Sequence, residues 1–416
     1  VAVIDRVRSL AQTSAGIAVA MAVMNVATYG FTMLATYLLG PKDYGALIAA
    51  MNFLIVVSVL SLGLQATAAR RISADPGHVA QIERSIMRVT HRGAVALGLV
   101  LLVLTPAIDR LLRLDSLPTT ALIAVAAVPL TIMGGQAGIL QGERRWGALG
   151  LVYVAAGVPR LVIATTLVVL APGEFTALLG VTIAFFVPAL VGWWALRTAR
   201  QPGEVSDTHR GRAIVTECLH NSQALLAFFA LSNVDIIVAR NVLPDHDSGL
   251  YAAGLIITKA MLFLPQFVVV VAFPALATVE ERRRALVRSL VLIGGLGLVG
   301  TVATWLLAPL AMVFAGGAEF DEIQPYLWLF AIIGTLLSMI QLLVYSVLAR
   351  QGRWTVLSVW VALACVVGLG LTRDSIIGLA VTVASVDAVL LGLLLGAAAY
   401  FLRTQRAELP EPAHTA

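Results

Sequence analysis

Apolar runs of about twenty residues follow one another along almost all of this 416-residue chain, separated by short clusters of charge or by Pro and Gly. A helix crossing a hydrocarbon core about 30 Å thick needs a run of that length. Breaking the chain at its charged clusters gives about twelve of them. They lie near 14–38, 44–68, 93–113, 118–140, 148–171, 175–197, 214–240, 248–276, 288–314, 325–349, 355–372 and 376–402. Composition agrees, with 59% of residues hydrophobic and 12% charged, where a soluble domain carries about a quarter charged. A soluble fold, a disordered chain, a collagen-like rod and a disulfide scaffold are excluded on these grounds. The expected fold class is an all-α polytopic membrane protein. The first run carries Asn25, Thr28, Tyr29, Thr32 and Thr36 and lacks a small-residue cleavage site. It is expected to be a retained span, not a signal peptide.

The Lys and Arg residues set the expected orientation. Twenty-one fall in one set of alternate loops: Arg6 and Arg8; Arg70, Arg71, Arg84, Arg88 and Arg92; Arg144 and Arg145; Arg197, Arg200, Arg210 and Arg212; Arg282, Arg283, Arg284 and Arg288; Arg350 and Arg353; Arg403 and Arg406. The other set holds five: Lys42, Arg110, Arg113, Arg240 and Arg373. The imbalance predicts a multi-pass protein with both termini in the cytoplasm. It also accounts for the net charge of +5, so no nucleic-acid partner is expected. Only Arg160 and Lys259 remain, and both fall inside spans.

The chain repeats itself. Residues 138–149, GILQGERRWGAL, align with 346–357, SVLARQGRWTVL, at an offset of 208 that pairs Arg145 with Arg353 and Trp146 with Trp354. LLGPKDYGALIAA (38–50) aligns with VLPDHDSGLYAAG (242–254), pairing Gly45 with Gly249 at an offset of 204. Each half then holds six spans, and an even number keeps the halves in the same orientation, related by an axis along the membrane normal. The expected organisation is an N-terminal six-helix lobe (1–197), a cytoplasmic linker (198–213), a C-terminal six-helix lobe (214–402) and a cytoplasmic tail (403–416). Two pseudo-symmetric lobes around a central cavity make a transporter architecture. The stretch 70–92, with Ile72, Val79, Ile82, Ile86 and Val89 among its charges, reads as a short interfacial helix.

Ionisable groups inside a bilayer cost about 3 kcal/mol or more, so they face a cavity or a partner. Lys259 lies near the middle of span 8, on a face with Tyr251, Thr258 and Gln266. Span 7 carries the stripe Glu217, Asn221, Phe228, Ser232 and Asp235, and span 1 carries Asn25, Tyr29, Thr32 and Thr36. These stripes are read as faces on water or substrate, or as hydrogen-bonded helix contacts. Lys259 either pairs internally with Asp235 or Asp387, or forms an anion site that attracts phosphate. Arg160 shares a stripe with Trp146 and Tyr153. With Asp43, Asp109 and Glu174 all near the outer surface, it binds backbone carbonyls or meets a ligand. Asp235 and Asp387, the deep acids, relay a proton, hold a cation or serve as counter-ions to Lys259.

No enzyme signature is present: neither GxxxxGK[ST] nor GxSxG occurs, and the six histidines show no ligand-like spacing. Cys218 and Cys365 sit in apolar runs and read as buried free thiols, so neither metal nor cofactor is expected. Energy must come from an ion gradient or from downhill use of the transported molecule.

Residues 229–279, FALSNVDIIVARNVLPDHDSGLYAAGLIITKAMLFLPQFVVVVAFPALATV, resemble the span 7–8 region of bacterial polysaccharide (O-antigen type) flippases. LLGPKDYGALIAA and LQGERRW resemble the matching pieces of their N-terminal half. These flippases belong to the multidrug/oligosaccharidyl-lipid/polysaccharide (MOP) exporter superfamily. The resemblance implies movement of a polyprenyl-(pyro)phosphate-linked oligosaccharide across the bacterial inner membrane by alternating access. It implies that spans 1, 2, 7 and 8 line a cationic cavity, with Lys259 where lipid II flippases place a basic residue on span 8. Asn25, Tyr29 and Thr32 stand where those flippases carry arginines, and their two additional C-terminal spans are not expected here. Both departures weigh against lipid II as substrate.

On this reading Lys259 and Arg160 attract the phosphate. Asn25, Tyr29, Asn233 and Tyr251 bind sugar hydroxyls, with Thr32 and Gln266 beside them, and Asp235 and Asp387 couple an ion or act as counter-ions. Implied partners are the lipid-linked oligosaccharide, membrane lipids, a glycan polymerase or glycosyltransferases, and a proton or sodium ion. A cation-coupled multidrug exporter of the same superfamily is the alternative, although it calls for a deep carboxylate that the N-terminal lobe lacks. A third reading is a non-transporting membrane scaffold for glycan-synthesis enzymes.

Overall fold

The computed structural model describes residues 14–197, 211–276, 279–348 and 353–407, and among these it contains helices and turns with no strand. This is what a bilayer imposes, since an α-helix satisfies every backbone polar group within its own segment. The chain begins with α1 (Ser14–Val57), α2 (Val59–Ala74), a 3-10 turn (Pro76–His78), α3 (Val79–Val103) and α4 (Thr105–Leu112). It continues with α5 (Leu117–Gly142), α6 (Trp146–Pro159), a π-helical turn (Arg160–Ala164), α7 (Thr165–Leu170), α8 (Glu174–Ala195) and α9 (Gly211–Leu231). After it come α10 (Val234–Val242), α11 (Asp245–Leu276), α12 (Val279–Leu306), α13 (Ala308–Ala315), a 3-10 stretch (Gly317–Tyr326), α14 (Leu327–Leu348), α15 (Arg353–Gly370) and α16 (Ile376–Ala407).

Nine stretches of the described residues are long and apolar enough to span a membrane. The longest, Gly16–Ala74, folds over at Gly40, whose φ of 67° and ψ of 172° no helical residue adopts. Pro41, which has no N–H to leave unpaired, then starts the next helix. That stretch is therefore spans 1 and 2, and α11 with α15 supplies two more, which brings the count to the expected twelve. The chain forms two compact units. One is the chain to Phe229 with Pro244–Ala252; the other is Ala230–Leu243 with the chain from Ala253 onward. Residues 198–210 of the expected linker and the tail from 408 lie outside the described residues.

In the first unit α5 is the central helix. Gly134, Gly138 and Gly142, spaced four apart, form a small-residue groove on one of its faces. A Cβ on these glycines would lie 2.0 Å from Ser61 Oγ, 2.5 Å from Gln65 O and 2.8 Å from Ile72 Cβ, all on α2. Apolar lipid gives helices no hydrophobic reason to associate, so close backbone approach supplies the packing. Ser61 Oγ donates to Leu130 O across the same contact at 2.8 Å, and Gly135 receives Thr90 of α3. The two repeat segments near Gly45 and Gly249 meet directly. A Cβ on Gly45 would lie 3.1 Å from Gly249 Cα, and Lys42 Nζ stands 3.9 Å from Asp245 Oδ2.

Within the second unit α14 packs on α11. Thr258 Oγ1 donates to Phe330 O at 2.9 Å, Ser338 Oγ donates to Met261 O at 3.0 Å, and Gly334 lies against Thr258 O.

Two expectations are corrected. Residues 70–92 are not a separate interfacial helix but the end of α2, a turn and the start of α3. Ile72, Ile82 and Ile86 are buried with Ala68, Ile139 and Ile214, so this amphipathic face is taken up by protein rather than lipid. Cys218 is buried as expected, but Cys365 is exposed. On a membrane-facing helix an apolar run does not imply burial, and Val103, Val26 and Val291 are exposed in the same way.

Gly138→Val is expected to force α2 from α5 and to destabilise the protein by about 1–3 kcal/mol. Gly392→Ala, whose Cβ meets nothing within 4 Å, is expected to be neutral. Thermal unfolding in detergent checks both, and equal melting of the two variants contradicts the packing account.

Candidate functional site

Span 7 is a broken helix. α9 ends at Leu231 and α10 begins at Val234, with Asn233 at φ −136° and ψ −1° between them. A break inside a span frees backbone carbonyls that water cannot reach. Lys259, near the middle of α11, answers this: its Nζ donates to Ser232 O and to Asn233 Oδ1, each at 2.8 Å. Ser232 and Asn233 are buried, and Asn233 Nδ2 donates to Ser232 Oγ at 3.0 Å. A cation thus sits at the C-terminal, negative end of α9. On the other side of the break Asp235 lies in the first turn of α10, where Oδ1 accepts the Ile236 N–H at 2.9 Å. An acid at a helix N-terminus is favoured by the same dipole.

The two sequence alternatives for Lys259 were an ion pair with Asp235 or Asp387, or an anion site. Its hydrogen-bond partners are a carbonyl and an amide oxygen. Asp235 acts on it electrostatically, but no carboxylate lies within ion-pair distance of Nζ among the described residues. An ammonium has three donors, so one remains for a ligand. Asp387, on α16, is 1% exposed, and neither of its carboxylate oxygens has a hydrogen-bond partner among the described residues. It feels the charge of Asp235. These four side chains, Lys259, Asn233, Asp235 and Asp387, belong to the second unit.

The first unit holds Arg160. Its guanidinium lies over the Phe185 ring, 4.7 Å from Cζ to the centroid, and Nε is buried without a hydrogen-bond partner among the described residues. It follows Pro159 and opens the π-helical turn, which re-aims side chains locally and is frequent at functional positions. A Cβ on Gly157 would lie 2.6 Å from Met24 Cα, bringing this part of α6 against α1 near Asn25. Asn25, Tyr29 and Thr32 are half-buried on α1. Thr32 Oγ1 donates to Thr28 O at 3.0 Å and Thr36 Oγ1 to Met33 O at 2.6 Å, so both threonines are satisfied on their own helix. Tyr251 is fully buried in the first unit. The side chains of Gln266 and Asn221 lie outside the described residues.

The span 7 stripe does not survive as one face, because the break shifts its register. Glu217 leaves it for a fork with two arginines of α2: Arg71 Nη2 lies 2.8 Å from Oε2, Arg70 Nε donates to Oε1 at 3.0 Å, and Arg70 Nη2 meets Oε1 as well. Phe228 is wholly buried. Arg240, expected in an outer loop, is 2% exposed inside α10. Sequence reasoning also passed over Gln65, whose Nε2 donates to Gln141 Oε1 at 3.0 Å and to Tyr153 OH at 2.9 Å. Three polar groups within apolar runs were the available signal. Among the described residues no group of three or more His, Cys, Asp or Glu is gathered as a metal site requires.

Residues 10–280 match the family model for polysaccharide biosynthesis proteins. No curated protein matches the chain. Among solved structures it is similar to an inward-facing multidrug resistance MATE family transporter of the MOP superfamily. That match has 15% identity and a TM-score of 0.74, covering 94% of this chain and 96% of the other. The lipid II flippase MurJ in an inward closed conformation is similar at 13% identity and a TM-score of 0.69, over 92% of this chain and 87% of the other. A MOP superfamily transporter from Pyrococcus furiosus, described as having a binding pocket of reverse polarity, is similar at 14% identity and a TM-score of 0.59, over 93% and 94%. At these identities the likeness is one of fold.

Lys259→Met is expected to lower the melting temperature, because Ser232 O and Asn233 Oδ1 lose their donor at a cost of about 1–3 kcal/mol for each buried group left unpaired. Lys259→Gln keeps an N–H donor and is expected to lose less. Native-like melting of the Met variant in detergent contradicts the capping role.

Proposed function

The chain belongs to the polysaccharide biosynthesis protein family, and from that premise we propose that it flips a polyprenyl-(pyro)phosphate-linked oligosaccharide across the bacterial inner membrane. The observation that carries this reading is Lys259: an intramembrane ammonium with no carboxylate at ion-pair distance among the described residues and one donor unspent. A phosphate in a water-poor site is the ligand such a group favours. Arg160, over Phe185 with Nε unpaired among the described residues, gives the first unit a cation of its own.

In the proposed cycle the polyprenyl tail stays in the lipid while the sugar-phosphate head leaves it for the polar groups of the protein. Lys259 and Arg160 hold the phosphate, and the half-buried Asn25 and Tyr29 meet sugar hydroxyls and ring faces. Asn233 is already engaged by Lys259, so it orients the ammonium and reaches the head only with it. Tyr251, wholly enclosed, supports the wall from behind. The Arg-rich loops face the cytoplasm, as do both termini. A glycan polymerase or glycosyltransferases act beside it.

Asp387, buried with a carboxylate that has no hydrogen-bond partner among the described residues, is the group that takes a proton or a sodium ion in this cycle, with Asp235 beside it. The same carboxylate favours a second reading, a cation-coupled multidrug exporter, in which Asp387 serves the drug cycle.

The test is transbilayer movement of a labelled polyprenyl-pyrophosphate oligosaccharide in proteoliposomes. The native protein is expected to move it, Lys259→Gln and Arg160→Gln to slow it about tenfold each, and Asp387→Asn to remove its response to an ion gradient. Failure to move any such lipid, together with uptake of a cationic dye under a proton or sodium gradient, favours the exporter.

A further inference from the structure

The turn joining α5 to α6 has a geometry that flipping does not require. Arg145 N–H donates to Leu140 O at 2.9 Å and Arg144 N–H donates to Gln141 O at 3.1 Å, the paired bonds of a Schellman C-cap. Arg144 occupies its left-handed position, with φ 54°. Glycine is the usual residue there, because any side chain with a Cβ is strained. The repeat that pairs Arg145 with Arg353 pairs Arg144 with Gly352, a residue outside the described ones. A left-handed arginine thus stands where the repeat has glycine, as Arg113 and Asp115 also take a positive φ in this chain.

That side chain is exposed and has no hydrogen bond or ion pair among the described residues. Its neighbour differs. Arg145 gives Nη2 to Ala195 O at 2.6 Å and lies 3.5 Å from Glu143, which neutralises the local acid. Both arginines border a cavity of about 670 Å³ whose walls include Ile72, Pro76 and Val79 on the apolar side and Ser73 and Glu143 on the polar side, Glu143 being the acid that Arg145 offsets. The cavity lies where the apolar helices α2 and α5 end and the arginine-rich turns begin. Arg160 is fourteen residues beyond Trp146, the start of α6, about 21 Å at 1.5 Å per residue, so this is a separate place.

We propose that this cavity binds the phosphate headgroup of an anionic bilayer phospholipid, with Arg144 as the residue that selects its charge. The apolar walls, useless to a free ion, take the glycerol and upper acyl segments, and the unspent guanidinium takes the phosphate. The site is independent of the flippase reading.

The experiment is native mass spectrometry of the full-length protein titrated with phosphatidylglycerol, with phosphatidylcholine of the same chains and inorganic phosphate as competitors. The native protein is expected to prefer phosphatidylglycerol. Arg144→Gly and Arg144→Asn, both compatible with a left-handed backbone, are expected to bind it about five- to tenfold more weakly. Arg92→Gln, which removes one exposed charge on α3, is expected to bind as the native protein does. Lipid-free Arg144→Gly is expected to melt no lower than the native protein, since the strain is gone. Native-like affinity in both Arg144 variants, or an equal loss in Arg92→Gln, overturns the site. Displacement by inorganic phosphate, or stoichiometric displacement by polyprenyl phosphate, overturns the bilayer phospholipid as its occupant.

Discussion

The bond from the Lys259 ammonium to the Ser232 carbonyl is the interaction on which the candidate site depends. A span broken at its centre presents bare carbonyls at one end and bare amides at the other, and each costs several kcal/mol in hydrocarbon. Lys259 supplies the positive charge for the first end, Asp235 the negative charge for the second. Lys259 is held by a carbonyl, an amide oxygen and a helix dipole, with no carboxylate at ion-pair distance among the described residues. This leaves the ammonium partly available, as a salt bridge would not. It also couples the ligand to the backbone, since whatever draws on Lys259 draws on the cap of α9.

The two intramembrane cations are held by different physics. Lys259 is a compact charge with donors that rotate to suit a carbonyl and an amide. Arg160 is planar and lies on the Phe185 face, where the ring compensates the charge and leaves the edge donors for other groups. Around Arg160, glycines bring α6 close to α1 and the π-helical turn sets its direction. Rigid packing therefore positions one cation and a helix break positions the other.

Much of this was legible in the sequence, because bilayer thickness makes span length a strong signal. The twelve runs and the all-α class follow from apolar length, and self-similarity singled out the segments at Gly45 and Gly249 without foreseeing that they touch. Lys259, Arg160, Asp235 and Asp387 stood out because a charge inside an apolar run is costly. The break at Ser232–Asn233 was not legible: neither Pro nor Gly marks it, and the stripe through Glu217, Phe228 and Asp235 assumed an unbroken register. Arg240 was misplaced because the helix after the break runs on to Val242, where an outer loop was expected, and buries it. The Gly134, Gly138 and Gly142 groove was present in the letters, but composition weighs glycine as punctuation where here it is a packing surface.

The measurement that bears most directly on the central claim is equilibrium binding of two ligands that differ only in charge: a polyprenyl-phosphate oligosaccharide and its uncharged polyprenol-linked counterpart. Each is compared on the native protein and on Lys259→Gln. The account predicts that the native protein prefers the phosphate form and that Lys259→Gln loses this preference while binding the uncharged form as before. An unchanged preference in the variant contradicts the account and leaves Lys259 as a helix cap alone.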